Sequence, residues 1–567
     1  MTLIRTLATL LLGLALASCT TTAAAPRPER QIFVVAANPL AVEAGLAVLR
    51  RGGSAADAAV AVQAMLSLVE PQSSGMGGGA FMTWFDGETG EVAVYDGREV
   101  APAGASPAMF LGADGRPVPF GSAVVSGRAT GVPGAVKLLA MVQGEHGKLP
   151  WNALFGDAVR TADEGFVITP RLGRFLTGSF PQLQAPDAQA YFAESDGTLL
   201  DTGDRLRNPA YAAFLRRLAA QGADALYTGE TAQRIVARTT AEPLAGSMTL
   251  ADLAAYQPIK REALCGRYRV YRVCLPPPPS SGVALLQLLA MLEHTDIDQR
   301  GPDDPQAWFL FAEASRLMYA DRDRYIGDAA FVTVPVAGML DPDYVAGRAR
   351  LIGTSAGPAP TAGAPPGAIA RAPDRTLEPA GTSHFIVGDG DGNVVSMTTT
   401  VESIFGTGRM VDGFFLNNQL TDFSFSPTDE SGRPVANAVA PGKRPRSSMA
   451  PLVLIDAQGR FAGAFGSAGG NAILAFVAKS MVAAIDWGLP TQEALALPNL
   501  VARGAAFQGE VDKFAPAAID GLAARGVALR PGQGEDSGVH AVMIRNGRFD
   551  GGYDPRREGR AIAEPAP

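Results

Sequence analysis

Residues 377–408, LEPAGTSHFIVGDGDGNVVSMTTTVESIFGTG, decide how this chain reads. The segment leaves a loose Pro/Ala/Gly run, passes through Gly381-Thr382-Ser383-His384, and becomes a strand, a turn and a second strand. Asp389-Gly390-Asp391-Gly392-Asn393 has the chemistry of a hairpin turn. As a calcium loop it lacks the Gly after the third ligand and the terminal Glu. A Thr at the first position of a strand, directly after a flexible loop and a Gly, can serve as a nucleophile if the chain is cut just before it. The freed α-amino group then sits on the residue that carries the attacking hydroxyl, a known way to activate a weak nucleophile. A plain hairpin behind a linker is the competing reading of this stretch.

Upstream, the Pro/Ala/Gly-rich linker 353–381 contains Gly353-Thr354-Ser355-Ala356-Gly357, which matches the G-x-S-x-G nucleophile elbow. That motif works only on a strand-to-helix turn, and PAPTAGAPPG follows here, which forbids a helix. Nearer the start, IFVVAA reads as a strand, and Asn38-Pro39 opens a helix with Leu40, Ala44, Leu46, Val48 and Leu49 at helical spacing, stopped by Gly52-Gly53. DAAVAVQAMLSLVE is a second, small-residue helix suited to burial. The following PQSSGMGGGAFMTWF lacks the Lys-Ser/Thr of a phosphate loop and leads into a strand, so its glycines read as backbone packed against a neighbour. Arg98 lies just past the strand of EVAVYDGREV, where a lone Arg is ordinarily a surface ion pair. Helices are expected around GVPG in 124–165 and through 209–256, and PPPPSSG forms an extended lead into the helix LLQLLAMLEH.

The 567 residues carry a net charge of -8 and no long Lys/Arg run, which argues against nucleic-acid binding. At the N-terminus, Arg5 precedes an apolar run, Leu7 to Ala17, too short to span a bilayer and the right size for a signal-peptide core. It ends in Leu16-Ala17-Ser18-Cys19, which resembles a bacterial lipobox. The expectation is a signal peptide over 1–18, lipidation at Cys19 and a tether over 19–30, placing the protein on the periplasmic face of the outer membrane, with the lipid anchor its one membrane contact. An ordinary cleaved signal, giving a soluble periplasmic or secreted protein, is the alternative. Cys265 and Cys274 flank a tight turn between two short strands, and export leaves both a disulfide and two buried thiols open. The four histidines, His146, His294, His384 and His540, are scattered, and neither HExxH nor CxxC occurs, so neither a metal nor a cofactor is expected.

Taken together, ANPLAVEAGLAVLRRGGSAADAAVA, VEPQSSGMGGGAFM, DGREVAPA, GVPG, YADRDRYIGD, TSHF, FGTG, LNNQLTDFS, PGKRPRSSMAP and GSAGGN resemble, in order, the γ-glutamyltransferase family of N-terminal-nucleophile hydrolases, across nearly the whole chain after residue 30. The resemblance implies an α/β (α+β) fold, a four-layer α/β/β/α sandwich. It also implies a precursor cut between Gly381 and Thr382 into a large subunit, 31–381, and a small catalytic subunit, 382–567, that stay together as a heterodimer.

Carried over by position, the resemblance makes Thr382 the nucleophile, with Thr400 supporting its hydroxyl and amine, and Gly469 and Gly470 the backbone N–H pair for the oxyanion. Glycines suit that last task because the backbone must approach the reacting carbonyl closely. Arg98, with Ser447 and Ser448, would grip the α-carboxylate of a γ-glutamyl head, and Glu402, Gln419 and Asp422 its α-ammonium. Three positions depart from the family pattern. Ala468 stands for a common proline; the segment between Asp422 and Lys443 is short and has no Tyr to close over the donor; and Arg446 replaces a common Leu, which would make the rim near the substrate carboxylate more basic. The implied activity is transfer of the γ-glutamyl group of glutathione and related amides to water or to amino acids and peptides. The alternatives are a related acylase of glutaryl-cephalosporin or poly-γ-glutamate type, and an uncut, inactive envelope binding protein.

Overall fold

The computed structural model describes residues 31–374, 376–532 and 537–567. The expected signal peptide, the lipidation at Cys19 and the tether lie outside these residues. Thirteen strands build two antiparallel sheets. They are β1 (Gln31–Ala36), β2 (Gly79–Phe85), β3 (Val92–Gly97), β4 (Ile259–Glu262), β5 (Leu264–Tyr268), β6 (Tyr271–Leu275), β7 (Thr382–Gly388), β8 (Val394–Thr400), β9 (Leu452–Ile455), β10 (Phe461–Gly466), β11 (His540–Arg545), β12 (Arg548–Tyr553) and β13 (Arg560–Pro565). The first sheet has the order β13-β1-β7-β8-β2-β3-β4, and the second β12-β11-β10-β9-β6-β5.

The opening stretch is the centre of the first sheet. β7 and β8 pair in a register that sets Thr382 opposite Thr400 and Phe385 opposite Met397. The turn between them is held by Asp389, whose carboxylate accepts from the N–H groups of Asp391 and Asn393 and, across the fold, of Ala55. Both strands are buried along their whole length, and side chains alternate between two cores, as the period of two requires. Phe385, Val387, Val395 and Met397 face a helical layer; Ile386 and Val394 face the second sheet across a thin core that includes Phe33, Val35, Val453 and Val542.

The helical layer on the first sheet begins with α1 (Pro39–Arg50), capped by Asn38. It continues with α2 (Ala55–Val69), whose fifteen residues are all buried and whose start is a capping box between Ser54 and Asp57. Apolar Ala, Val, Leu and Met on every side let α2 sit beneath the sheet with no solvent face. The second sheet is covered by α3 (Gly282–Glu293), α4 (Pro305–Tyr325) and α5 (Ile473–Ile485), packed through Leu285, Leu289, Phe309, Leu474 and Phe476. The layers thus run α/β/β/α. Both sheets combine strands from before and after residue 381, with β1 seated between β13 and β7 in the first and β6 paired to β9 in the second, so a break at that point would leave two interlocked pieces.

The strands and helices expected from residue 31 onward are present. Ser355 is exposed in an irregular segment, not on an elbow. Cys265 and Cys274 form a disulfide between β5 and β6. Among the described residues no helix is long and apolar enough to cross a membrane.

Candidate active site

Thr382 opens β7 at the end of the sheet, and its Oγ1 lies 3.1 Å from the Oγ1 of Thr400, to which it donates. The Thr400 hydroxyl in turn donates to the carbonyl oxygen of Gly381 at 2.6 Å and accepts from the N–H of Glu402 at 2.8 Å. One hydroxyl therefore bridges the side chain of Thr382 and the carbonyl of the peptide bond just before it. The Thr382 carbonyl is held by Arg557 at 2.9 Å. Thr400 is pinned from behind: a Cβ on Gly78 would overlap its carbonyl oxygen and lie 2.9 Å from its carbonyl carbon. The glycines of the Gly77-Gly78-Gly79 cluster thus pack closely against their neighbours, Gly78 against Thr400 and Gly77 against the Phe415 carbonyl.

Beneath Thr382, His384 bonds Thr398 at 2.9 Å and packs against His540, with ring centroids 6.3 Å apart. Burial, reinforced by the neighbouring His540, keeps His384 well below the usual imidazole pKa. Burial and then Arg557 push His540 down to about 3. Both rings are neutral at ordinary pH. The two histidines scattered in sequence are therefore neighbours in the fold.

The second sheet supplies the facing wall. β10 ends at Gly466 and runs through Ser467-Ala468-Gly469-Gly470 into α5. Gly469 has φ 130° and Gly470 φ 53°, the left-handed region that favours glycine. Gly470, Thr382, Thr400, Arg98, Glu402, Gln419, Asp422, Ser447 and Ser448 line one pocket, together with Glu378 and Pro379. Only Gly469 of the expected set stands just outside that lining.

Within the pocket the charges pair in a way the sequence did not suggest. Arg98, buried just beyond β3, donates to the Asp422 carboxylate at 2.5 Å, to the Arg446 carbonyl at 2.8 Å and to the Pro445 carbonyl at 3.2 Å. It is no surface ion pair. Gln419 also donates to Asp422, at 2.6 Å. Glu402, with φ 80°, accepts from Ser403 at 2.5 Å and from Asn418. Burial, then the nearby Asp422, raises the Glu402 carboxyl well above its usual range, and burial raises Asp422 against the pull of Arg98. One oxygen of each of Glu402, Gln419 and Asp422 has no fixed hydrogen-bond donor among the described residues. Three buried oxygens that no fixed donor reaches, two of them on the Glu402 and Asp422 carboxyls that share a hydrogen bond with each other, suit a ligand that carries several N–H groups.

Arg446 corrects an expectation. It is not on a rim but fully buried, bonded to Glu378 at 2.7 Å and to Asp374 at 3.1 Å. Ser448 donates to Glu378 at 2.8 Å, whereas Ser447 Oγ accepts from the N–H of Met449. The segment between Asp422 and Lys443 packs Phe425 against Phe110 and Phe120 and borders a cavity of about 770 Å³ that Asp374, Thr376 and Leu377 also line. Arg322, Glu378 and Arg557 are the site residues that sequence reasoning passed over. Arg322 stands inside YADRDRYIGD and Glu378 inside the opening stretch, but nothing local marks either.

A family model described as gamma-glutamyltranspeptidase matches residues 41–564. The chain belongs to that family. It is 36% identical over 544 residues to the glutathione hydrolase proenzyme of Bacillus subtilis (strain 168), covering 94% of this chain and 91% of that one. It is also 34% identical over 542 residues to the acylase ACY 1 proenzyme of Pseudomonas sp. (strain SE83), covering 94% and 93%. Among solved structures, the cephalosporin acylase from Bacillus halodurans superposes with a TM-score of 0.83 at 27% identity, covering 95% of this chain and 98% of that one. The gamma-glutamyltranspeptidase assignment makes the chain an enzyme, and its α/β/β/α sandwich is the N-terminal-nucleophile hydrolase fold. Within that fold, the two threonines and the glycine loop meet where the two sheets open at one end.

Proposed function

We propose that the protein is a glutathione hydrolase and γ-glutamyltransferase that cuts itself before Thr382 and then works through a Thr382 acyl-enzyme. The observation that carries this reading is the bridge from Thr382 through Thr400 to the Gly381 carbonyl. In self-cleavage, Thr382 Oγ1 adds to the Gly381 carbonyl carbon while its proton passes to Thr400 and that of Thr400 to the carbonyl oxygen. The C–N bond then breaks as the hydroxyl proton of the tetrahedral intermediate passes to the nitrogen, which leaves as the α-amine of Thr382, and water hydrolyses the resulting ester, restoring the Thr382 hydroxyl and freeing the Gly381 carboxylate. The new amine, with a reference pKa of about 7.7 to 8, is substantially neutral near working pH and serves as base for the same hydroxyl.

In turnover, Thr382 Oγ1 attacks the γ-carbonyl of the donor. The N–H groups of Gly469 and Gly470 stabilise the oxyanion, and the proton taken by the amine is passed to the departing nitrogen. Water or an amine acceptor then releases the acyl group. The unpartnered oxygens of Glu402, Gln419 and Asp422 receive the donor's α-ammonium. Arg98, Ser447 and Ser448 stand on the same pocket for its carboxylate. The large subunit, 31–381, and the small one, 382–567, remain an interlocked heterodimer. Export as a lipoprotein through Cys19, or as a soluble periplasmic or secreted protein, completes the proposal.

A second reading, an acylase for glutaryl groups, is favoured by the near-equal identity to the Pseudomonas acylase. A glutaryl chain has no ammonium and would leave the three acceptors unfilled. Side-by-side turnover of a γ-glutamyl anilide and a glutaryl anilide tests the choice: preference for the former supports the proposal, and preference for the latter overturns its substrate. An intact single chain with full activity would overturn the mechanism, and an intact single chain without activity would suit the uncut binding protein.

A further inference from the structure

We infer that Arg322, Arg446 and Ser448 form a carboxylate subsite, filled by the chain's own Glu378 before cleavage and open to a substrate carboxylate afterwards. Glu378 lies four residues before Thr382, and its carboxylate is gripped on all sides. Arg322 donates to both of its oxygens at 2.9 and 2.7 Å, Arg446 at 2.7 and 3.2 Å, and Ser448 at 2.8 Å. Both guanidinium groups are fully buried. This is an occupied anion site whose ligand is covalently attached.

The ligand must leave for the enzyme to work. The carbonyl of Glu378 accepts the N–H of Asn471 at 3.1 Å, and the Glu378-Pro379 backbone runs so close over Gly470 that a Cβ there would overlap both carbonyl oxygens. No donor reaches the glycine loop while this segment lies across it, and the free space left in the pocket is about 20 Å³, room for about one water. Asp374, farther back, is anchored separately through its N–H to the Asp323 carbonyl and by Asn437, so release of residues 377–381 does not require its removal.

Charge arithmetic then decides what replaces Glu378. Arg322, Arg446 and Arg503 are paired with Asp323, Asp374 and Glu378. Withdrawing Glu378 leaves three cations, Arg322 and Arg446 fully buried and Arg503 half-buried, against two anions. Breaking a buried pair by removing one partner is strongly destabilising, because the remaining charge has neither water nor counter-ion. A planar guanidinium pair beside a hydroxyl selects a carboxylate geometrically. Arg446 also keeps one terminal nitrogen without an acceptor even while Glu378 is bound. The inference rests on the γ-glutamyl reading for its substrates but not for the pocket. The carboxylate can be that of the acyl head group or one on the leaving group, as in a peptide with a free C-terminus.

The test separates the pocket from the catalysis. In the uncut Thr382→Ala chain, a further Glu378→Ala exchange should lower Tm. Sodium glutarate or acetate should raise it again by about 2–4 °C in a saturable manner, with glutaramide inert. The same titration of Thr382→Ala alone, where Glu378 fills the pocket, should give no such rise, and adding Arg446→Leu should abolish it. Equal responses with and without Glu378, or an equal response to the neutral amide, overturn the subsite.

In the cut enzyme, Arg446→Leu should raise KM about 10-fold or more for carboxylate-bearing ligands. A rise with γ-glutamyl anilide assigns the carboxylate to the acyl head. A rise in the KM ratio of free-acid to amidated γ-glutamyl peptides assigns it to the leaving group. No rise with either overturns the inference. Should Arg446→Leu fail to cut, Arg446→Lys, which keeps the charge without the fork, is expected to bind both ligands more weakly and to decide the same question. Absence of γ-glutamyl turnover in the wild type would sink the proposed activity while leaving the Tm results to stand or fall alone.

Discussion

Gly381→Ala adds one methyl group on the α-carbon beside the peptide bond that breaks in the proposed self-cleavage. A Cβ at residue 381 would overlap the carbonyl oxygen of Glu402, lie 2.7 Å from the carbonyl carbon of Ser403 and lie 3.0 Å from the nitrogen of Ile404. All three neighbours are main chain in a buried stretch, so none can rotate aside. Gly381 is not in the left-handed region, so Ala costs nothing in φ and the whole effect is the overlap. Restoring ordinary contact requires residues 381 and 402–404 to separate by about 1 Å, a misplacement that costs roughly 10²-fold in rate when it falls on reacting atoms. The same shift lengthens the 2.6 Å bond from Thr400 to the Gly381 carbonyl past useful range. Loss of one donor to a developing oxyanion is itself worth about 10²–10³, and the two effects overlap because they share one geometry.

The expected result is self-cleavage slowed by at least about 10², followed by denaturing gels over time, with mass analysis of the fragment that begins TSHFIV. Once the bond is broken, residue 381 is no longer tied to Thr382, so the cut fraction should show a donor KM near that of the wild type. Cleavage at the wild-type rate, with the Gly381→Ala exchange confirmed by mass, would refute the argument that the Thr400–Gly381 contact drives the cut.

Other perturbations probe neighbouring parts of the same site. Thr382→Ala should remain one uncut chain and form no acyl-enzyme with a γ-glutamyl anilide; two bands would move the cleavage site elsewhere. Thr400→Val removes the bridging hydroxyl and should slow both cutting and kcat by about 10²–10³, with an unchanged rate in either step excluding Thr400 from that step. Arg98→Ala should raise donor KM and also lower Tm by an amount corresponding to about 3–5 kcal/mol, since it leaves Asp422 buried without its partner; a KM rise without a stability loss would mean that Asp422 relaxes into water. Burial pushes the Glu99 carboxyl up to about 8 against the lowering influence of Arg98. Its folded pKa exceeds its unfolded one, so the contribution it makes to stability is full below about 4.5 and is lost as pH rises toward 8. Glu99→Gln should therefore flatten the fall in Tm between pH 5 and pH 8, and parallel falls in both proteins would rule out Glu99 as its source.

The hairpin at the centre of the site was open to sequence reading because its geometry is local. Seven residues of strand, a turn built by Asp389 and seven residues back bring Thr400 opposite Thr382 by counting alone. The glycine cluster announced a close approach for a similar reason: Gly77 and Gly78 lie against the backbone of Phe415 and Thr400 and Gly79 against the Glu99 carboxylate, although Phe415 and Thr400 lie more than 300 residues on. What could not be read is which charges neutralise which. Arg98 and Asp422 looked like opposite ends of a zwitterion clamp, and across 324 residues they are bonded to each other. Arg446 looked like a rim residue because a position before two serines says nothing about depth. Its depth is set by Asp374 and Glu378, which approach from a Pro-rich segment with neither helix nor strand.

Glu378 is the sharpest case. An acid before a proline in a loose linker reads as solvated, and burial would ordinarily raise its pKa. Arg322 and Arg446 instead hold it well below the carboxylate range, so it is an anion inside the protein. The segment that reads as a spacer is therefore part of the site's electrostatics. Cutting the chain does more than expose an amine on Thr382: it frees the one carboxylate of the arginine cluster that belongs to the departing segment. The step that creates the nucleophile thus also creates the demand for an acidic ligand, and substrate enters a pocket whose charge the precursor had already balanced with its own chain.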